Sequence, residues 1–157
     1  MSFIPSPVLL PVKHIQQHAA GECLAACAAM VLDYLDNPIA YKRLLPLLRI
    51  KRGLGTPFYN IRELEKQGVS VLYKKGTLPE LHNHLINGSP CIVAVQTEQL
   101  PYWNGVISGH VVVMVGMDAA HVLVNDPEFA NASFRVKFGD FDLAWLEQGE
   151  HYAVLQP

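Results

Sequence analysis

Apolar residues recur at positions 24, 27, 28, 31, 32 and 35, the spacing of one helix face, and Met30 and Tyr34 carry the apolar surface on to a second face. The pattern predicts a central, largely buried helix from Cys23 to about Asp36. It stops at Asp36-Asn37-Pro38, because the residue before a proline is pushed away from helical geometry. A shorter helical piece around 41–48 is interrupted by Pro46. Thr56 has the chemistry of an N-cap, Pro57 follows at the first helical position and Gly68 stands just past the end, so a second helix is expected over 57–67.

From Val69 the period changes to two: Val69, Val71 and Tyr73 alternate with Ser70, Leu72 and Lys74, the signature of a short strand. Thr77 with Glu80 forms a capping box for a helix ending at Asn87-Gly88. The runs 91–96, 110–117, 121–125, 134–137 and 151–155 are rich in β-formers, and a short helix over about 140–147 precedes the last of them. Helices in the first half and strands in the second predict an α+β fold with an N-terminal helix packed on a mostly antiparallel sheet.

Composition narrows the function. The 157 residues suit one domain, 1–157, large enough to remove roughly 70% of its unfolded surface from water. Half the residues are hydrophobic and 17% are charged, which excludes a disordered chain and implies elements buried on more than one side. A net charge of −2 excludes nucleic acid as the main partner. Three cysteines are too few for a disulfide scaffold and odd in number, so a reducing compartment, the cytoplasm, is expected. The proline-punctuated N-terminus lacks a basic leader pattern, and the uncharged run 100–117 is broken by Pro101, Asn104, Gly105 and Gly109, so no secretory signal and no membrane span are expected.

Two placements then carry chemistry. A turn at Asp118-Ala119-Ala120 makes a hairpin in which His110 lies opposite Asp126, and directly opposed side chains have Cβ atoms about 4.5–5.5 Å apart, within reach of an imidazole–carboxylate hydrogen bond. Cys23 opens the buried helix after the flexible Ala19-Ala20-Gly21 stretch, where free backbone N–H groups and the helix dipole favour a thiolate. A helix-terminal cysteine with an oriented histidine is a prepared nucleophile, although each feature alone also suits a packing residue.

Gln17, Cys23 with Cys27 four residues on, Gly109-His110-Val111-Val112-Val113 and Val122-Leu123-Val124-Asn125-Asp126-Pro127 together resemble the bacteriocin-processing cysteine peptidases. These are the papain-like domain at the head of peptidase-containing ABC transporters, which cut double-glycine leaders. The stretch from Gly55-Thr56 to Gly68 resembles the family's second helix, and Trp145 with the final strand resembles its C-terminal closure. The resemblance implies a papain-like cysteine peptidase acting on a peptide or protein without any cofactor or metal. Cys23 would attack, His110 would carry the proton, Asp126 would orient the imidazole, and Gln17 would serve the oxyanion hole.

Glu22-Cys23-Leu24 departs from the family's Asp-Cys-Gly, and the chain shows no phosphate-binding loop and no transmembrane segment, so a partner transporter or precursor peptide stays unidentified. An inactive peptide-binding module, and an acyltransferase or deamidase using the same triad, remain alternatives. His14, His18, Cys23 and Cys27 have spacings that could be drawn as a zinc site. Cys27 and Cys91 are expected to pack in the core, His82 and His84 to lie on the surface, and Tyr102 and Trp103 either to border the cleft or simply to pack.

Overall fold

A computed structural model describes residues 3–157. Seven strands form one antiparallel sheet: β1 (Val8–Leu9), β2 (Ser70–Lys75), β3 (Cys91–Gln96), β4 (Gly109–Met117), β5 (His121–Asn125), β6 (Phe134–Lys137) and β7 (His151–Gln156). Their order is β2-β7-β3-β4-β5-β6, and β1 extends the β3 side of β4. Helices α1 (Cys23–Tyr34), α2 (Tyr41–Leu47), α3 (Leu78–Ile86) and α4 (Phe138–Leu146) surround it. The α+β architecture with an N-terminal helix on an antiparallel sheet is the one expected.

The sheet is buried on both faces, which is why β3 and β4 read as nearly unbroken apolar runs rather than as clean alternation. Ala94, Val111 and Val113 face α1 and α2, whereas Val93, Val95, Val112 and Met114 face α3 and α4. Every residue of α1 from Leu24 to Leu32 is buried, and its four alanines let the sheet and neighbouring helices approach closely on all sides. Trp145 of α4 is buried and its indole N–H donates to His151 O at 2.9 Å, tying the last helix to the last strand.

Three local expectations change. The segment after Thr56 is a 3₁₀ helix, Phe58–Gln67, with Pro57 rather than Thr56 at its N-cap. Half-buried Phe58 and buried Ile61 and Leu64 stand three apart, and a three-residue turn stacks such side chains directly above one another. The Thr77 hydroxyl accepts from Glu80 N–H at 3.3 Å, which is half of the predicted capping box. The two-residue β1 is too short to show a period. It forms because Gly116 has no side chain: a Cβ there would sit 2.5 Å from Val8 O.

Candidate active site

Cys23 is the first residue of α1, half-buried, at the end that presents unpaired N–H groups. The approach to it depends on Gly21, whose φ of +82° is left-handed and whose missing side chain leaves room for the Leu54 carbonyl. His110 lies near the start of β4, paired with Val95 of β3. Asp126 follows directly after β5, and both it and His110 are buried.

The hairpin turn forms where the sequence placed it, closed by the Asp118 N–H donating to His121 O at 2.9 Å. The register differs from expectation. Met117 pairs with Val122, which centres the turn between Ala119 and Ala120 rather than at Asp118, where a His110–Asp126 pair would need it. The bulge between Met114 and Gly116 takes back one residue, to Met114 with Val124 and Val113 with Asn125, so Asp126 continues beside Val112 and not beside His110. The two side chains meet along the diagonal, a distance that an imidazole and a carboxylate still span. His110 Nε2–H donates to Asp126 Oδ1 at 2.7 Å.

Asp126 accepts from every side. Its Oδ1 also takes the Glu128 N–H at 3.0 Å, and Oδ2 takes the Tyr102 hydroxyl at 2.7 Å and the Trp103 indole N–H at 2.9 Å. Tyr102 and Trp103 thus hold the carboxylate rather than only lining a cleft. Phe129 packs edge-on to both, Phe134 stacks on Tyr102, and the Trp103 ring lies edge-on to His110 with centroids 5.0 Å apart. No sequence pattern singles out these two donors, because their roles depend on a 3₁₀ turn, Pro101–Trp103, folding over a distant strand end.

The electrostatics follow from this cage. Burial alone depresses His110, but the hydrogen bonds and charges of Asp126 and Cys23 outweigh it and raise its pKa from 6.5 to about 9. Burial works to raise Asp126, and the His110 bond and charge, with the Trp103 and Glu128 donors, overcome it and hold the carboxylate below its usual range. Cys23 lies close enough to His110 to help raise it. Because Nε2 is engaged by Asp126, Nδ1 is the ring nitrogen left for the thiol. Cys23 and His110 share the wall of a cavity of about 250 Å³ with Gly55, Thr56, Phe58 and Gln148. The Thr56 hydroxyl, freed from capping, is buried without a partner.

Gln17 is not part of that cavity wall. Its segment runs along the residues after Asp126: His14 Nε2–H donates to Phe129 O at 2.6 Å, Gln16 Nε2 to Glu128 O at 3.1 Å, and Gln17 N–H to Pro127 O at 2.8 Å. The Gln17 side-chain amide donates to Ala19 O at 3.1 Å, and its Oε1 is buried without a partner.

The zinc grouping is not assembled. His14 is engaged by Phe129, His18 stacks on Tyr41 with ring centroids 3.7 Å apart, and no three His, Cys, Asp or Glu side chains cluster as metal ligands among the described residues. Cys27 and Cys91 are fully buried, as expected, and burial pushes both thiols up. His82 and His84 are half-buried rather than on the free surface, bonded to Ser6 O at 2.8 Å and to the Tyr152 hydroxyl at 3.0 Å.

This pairing of a helix-terminal thiol with a carboxylate-held imidazole coincides with a family match: the Peptidase C39-like family model covers residues 9–153. The chain belongs to the peptidase C39-like family. Among solved structures, this C39-like chain is similar to a putative C39-like peptidase from Bacillus anthracis, with 18% identity, TM-score 0.77, and 97% of this chain and 98% of that one covered. It is also similar to a double glycine motif protease from an AMS/PCAT transporter in complex with the leader peptide, at 22% identity, TM-score 0.72 and coverage of 96% and 97%. Xylellain, a cysteine protease from Xylella fastidiosa, matches at 12% identity and TM-score 0.59 over 98% of this chain and 87% of that one. At these identities the likeness establishes the fold, which is that of C39 and papain-like peptidases. No curated protein matches the chain, and no helix among the described residues is long and apolar enough to cross a membrane.

Proposed function

We propose that this C39-like chain, a single domain over 1–157, is a cysteine peptidase that cleaves a peptide or protein through Cys23, His110 and Asp126, with Gln17 in the oxyanion hole. The observation that carries the reading is the His110 Nε2 bond to buried Asp126 at 2.7 Å, with Cys23 and the same imidazole lining one cavity.

With a pKa of about 9, His110 is an imidazolium at neutral pH, a cation beside the Cys23 sulfur. The thiolate attacks the scissile carbonyl carbon: the S–C bond forms and the carbonyl electron pair moves to oxygen. That oxygen is met by the Cys23 backbone N–H and by the Gln17 amide, whose Nε2 bears a second hydrogen beside the one given to Ala19 O. As the C–N bond breaks, His110 Nδ1 gives its proton to the leaving amine. Water, deprotonated by the now neutral His110, then hydrolyses the thioester and restores the pair. Asp126 keeps its charge throughout and fixes the ring.

A peptide substrate is supported by the double glycine motif protease solved with its leader peptide. A reducing compartment, the cytoplasm, would keep the three free thiols as thiols. The test is a lysate-derived peptide library digested under reducing conditions, read as new N-termini. Wild-type protein is expected to generate them and Cys23→Ala to generate none, while Gln17→Ala slows them by roughly 100- to 1000-fold with peptide binding little changed. Identical libraries before and after wild-type digestion would refute the peptidase reading in favour of a binding module.

A further inference from the structure

The turn 18–22 sets where the Gln17 side chain stands relative to the start of α1, and its own bonds are few. Gln17 Nε2 and Glu22 N–H both donate to Ala19 O, the latter at 3.3 Å. The rest of its restraint comes from Tyr41, the first residue of α2. The Tyr41 hydroxyl accepts from His18 N–H at 3.1 Å and donates to Glu22 Oε1 at 2.8 Å, and its ring stacks on the His18 imidazole at 21°. One side chain from another helix therefore grips both ends of the turn. Glu22 is only 9% exposed and makes no side-chain cap to α1, so its carboxylate is turned towards Tyr41 instead of towards the helix. Burial raises the Tyr41 phenol, which keeps it a donor across the working range.

We propose that Tyr41 is a positioning residue for oxyanion stabilisation: its hydroxyl clips His18 to Glu22 so that the Gln17 amide and the Cys23 backbone N–H converge on one oxygen. The inference rests on the peptidase reading and adds to it a residue that never meets the substrate. A side chain that acts this way affects reactions that build negative charge on oxygen and leaves the thiol's other chemistry alone.

Two reagents separate those effects on the full chain. Iodoacetamide alkylates Cys23 by displacing iodide, with no oxyanion. The peptide aldehyde N-acetyl-glycyl-glycinal takes the Cys23 thiolate at its C=O: an S–C bond forms, the π pair goes to oxygen, and the hemithioacetal oxyanion stands in the hole while His110 keeps its proton. The measurement is the aldehyde concentration that halves Cys23 alkylation, read by mass spectrometry. Tyr41→Phe is expected to raise that concentration by about 10-fold, a fraction of what outright loss of an oxyanion donor costs. The iodoacetamide rate without aldehyde should stay within about twofold of wild type, as no oxyanion forms there.

Combined with Gln17→Ala, Tyr41→Phe should add less than its effect alone, because one of the two donors it positions is already gone. Glu22→Gln keeps an acceptor and should behave as wild type. Glu22→Ala should reproduce the Tyr41→Phe loss and serves as the test from the other end if Tyr41→Phe does not fold. An unchanged aldehyde response in Tyr41→Phe, an equal loss with both reagents, or full additivity with Gln17→Ala would overturn the proposal while leaving the peptidase reading intact. If wild-type Cys23 is alkylated by iodoacetamide yet never protected by the aldehyde, the peptidase reading fails and the role of Tyr41 fails with it.

Discussion

Replacing Asp126 with asparagine tests the cage around the histidine. All four partners of the carboxylate are donors: His110 Nε2–H, Glu128 N–H, the Tyr102 hydroxyl and the Trp103 indole N–H. An amide offers one accepting oxygen and one donating nitrogen, so in either orientation its N–H₂ faces two donors. With the oxygen kept on His110 and Glu128, Tyr102 can rotate its hydroxyl to accept, but the Trp103 indole cannot. A buried donor left unpaired costs about 1–3 kcal/mol, and breaking a buried charge pair costs about 3–5 kcal/mol in total. For a chain of this length that lowers the melting temperature by about 10 °C.

The charge effect is separate. Between 6.5 and about 9, His110's preference for its protonated form corresponds to about 3 kcal/mol. Without the carboxylate, burial dominates and the imidazolium is lost at neutral pH. Asp126→Asn should therefore melt earlier and move the onset of Cys23 alkylation to higher pH. Adding Trp103→Phe should recover about 1–3 kcal/mol of stability by removing the stranded donor, without restoring the pH profile. Thermal melts and iodoacetamide rates between about pH 5 and 10 read both effects, a window that brackets the histidine transition. An Asp126→Asn protein with unchanged melting and an unchanged profile would refute the reasoning, and no gain from Trp103→Phe would remove Trp103 from it.

Brief iodoacetamide labelling should modify Cys23 and spare Cys27 and Cys91, whose burial keeps them protonated and enclosed; equal labelling of all three by mass spectrometry would contradict this. The stability that His110 contributes through its raised pKa should be fully present below 6.5 and lost as the pH rises through about 9, a fall of about 3 kcal/mol in urea unfolding that His110→Gln abolishes. Asp126, held below its usual 3.8, gives stability present above that value and lost as the pH falls through the lowered one. Thr56→Val removes a buried hydroxyl that has no partner and should raise the melting temperature by about 2–4 °C, whereas a fall would show that Thr56 has a partner in solution.

Much of the architecture was legible because local and global signals agreed. Strands 91–96, 121–125 and 134–137 fall where β-forming residues sit between turn signals, and Cys23 opens α1 where the apolar period begins. The contact between His110 and Asp126 was legible, but its register was not. The turn centres between Ala119 and Ala120 rather than at Asp118, and a strand buried on both faces has no alternation to mark that centre; the bulge beside Gly116 takes back one residue of the difference. The 3₁₀ helix after Pro57 escaped because cap chemistry marks where a helix begins but does not distinguish a three-residue turn from a longer one. Tyr102, Trp103 and Tyr41 were opaque for a different reason: each acts through hydrogen bonds to residues at least 19 positions away, and only the folded chain makes those contacts.

The proposed peptidase activity requires Cys23 to break a peptide bond. Cys23→Ala protein should retain from lysate a peptide or protein that wild type releases, and that captured partner, purified and mixed with wild-type chain under reducing conditions, should appear by intact mass as two products. Their masses should add up to the partner plus one water, and no products should form with Cys23→Ala or His110→Ala. A captured partner that wild-type protein binds and leaves whole would contradict the account.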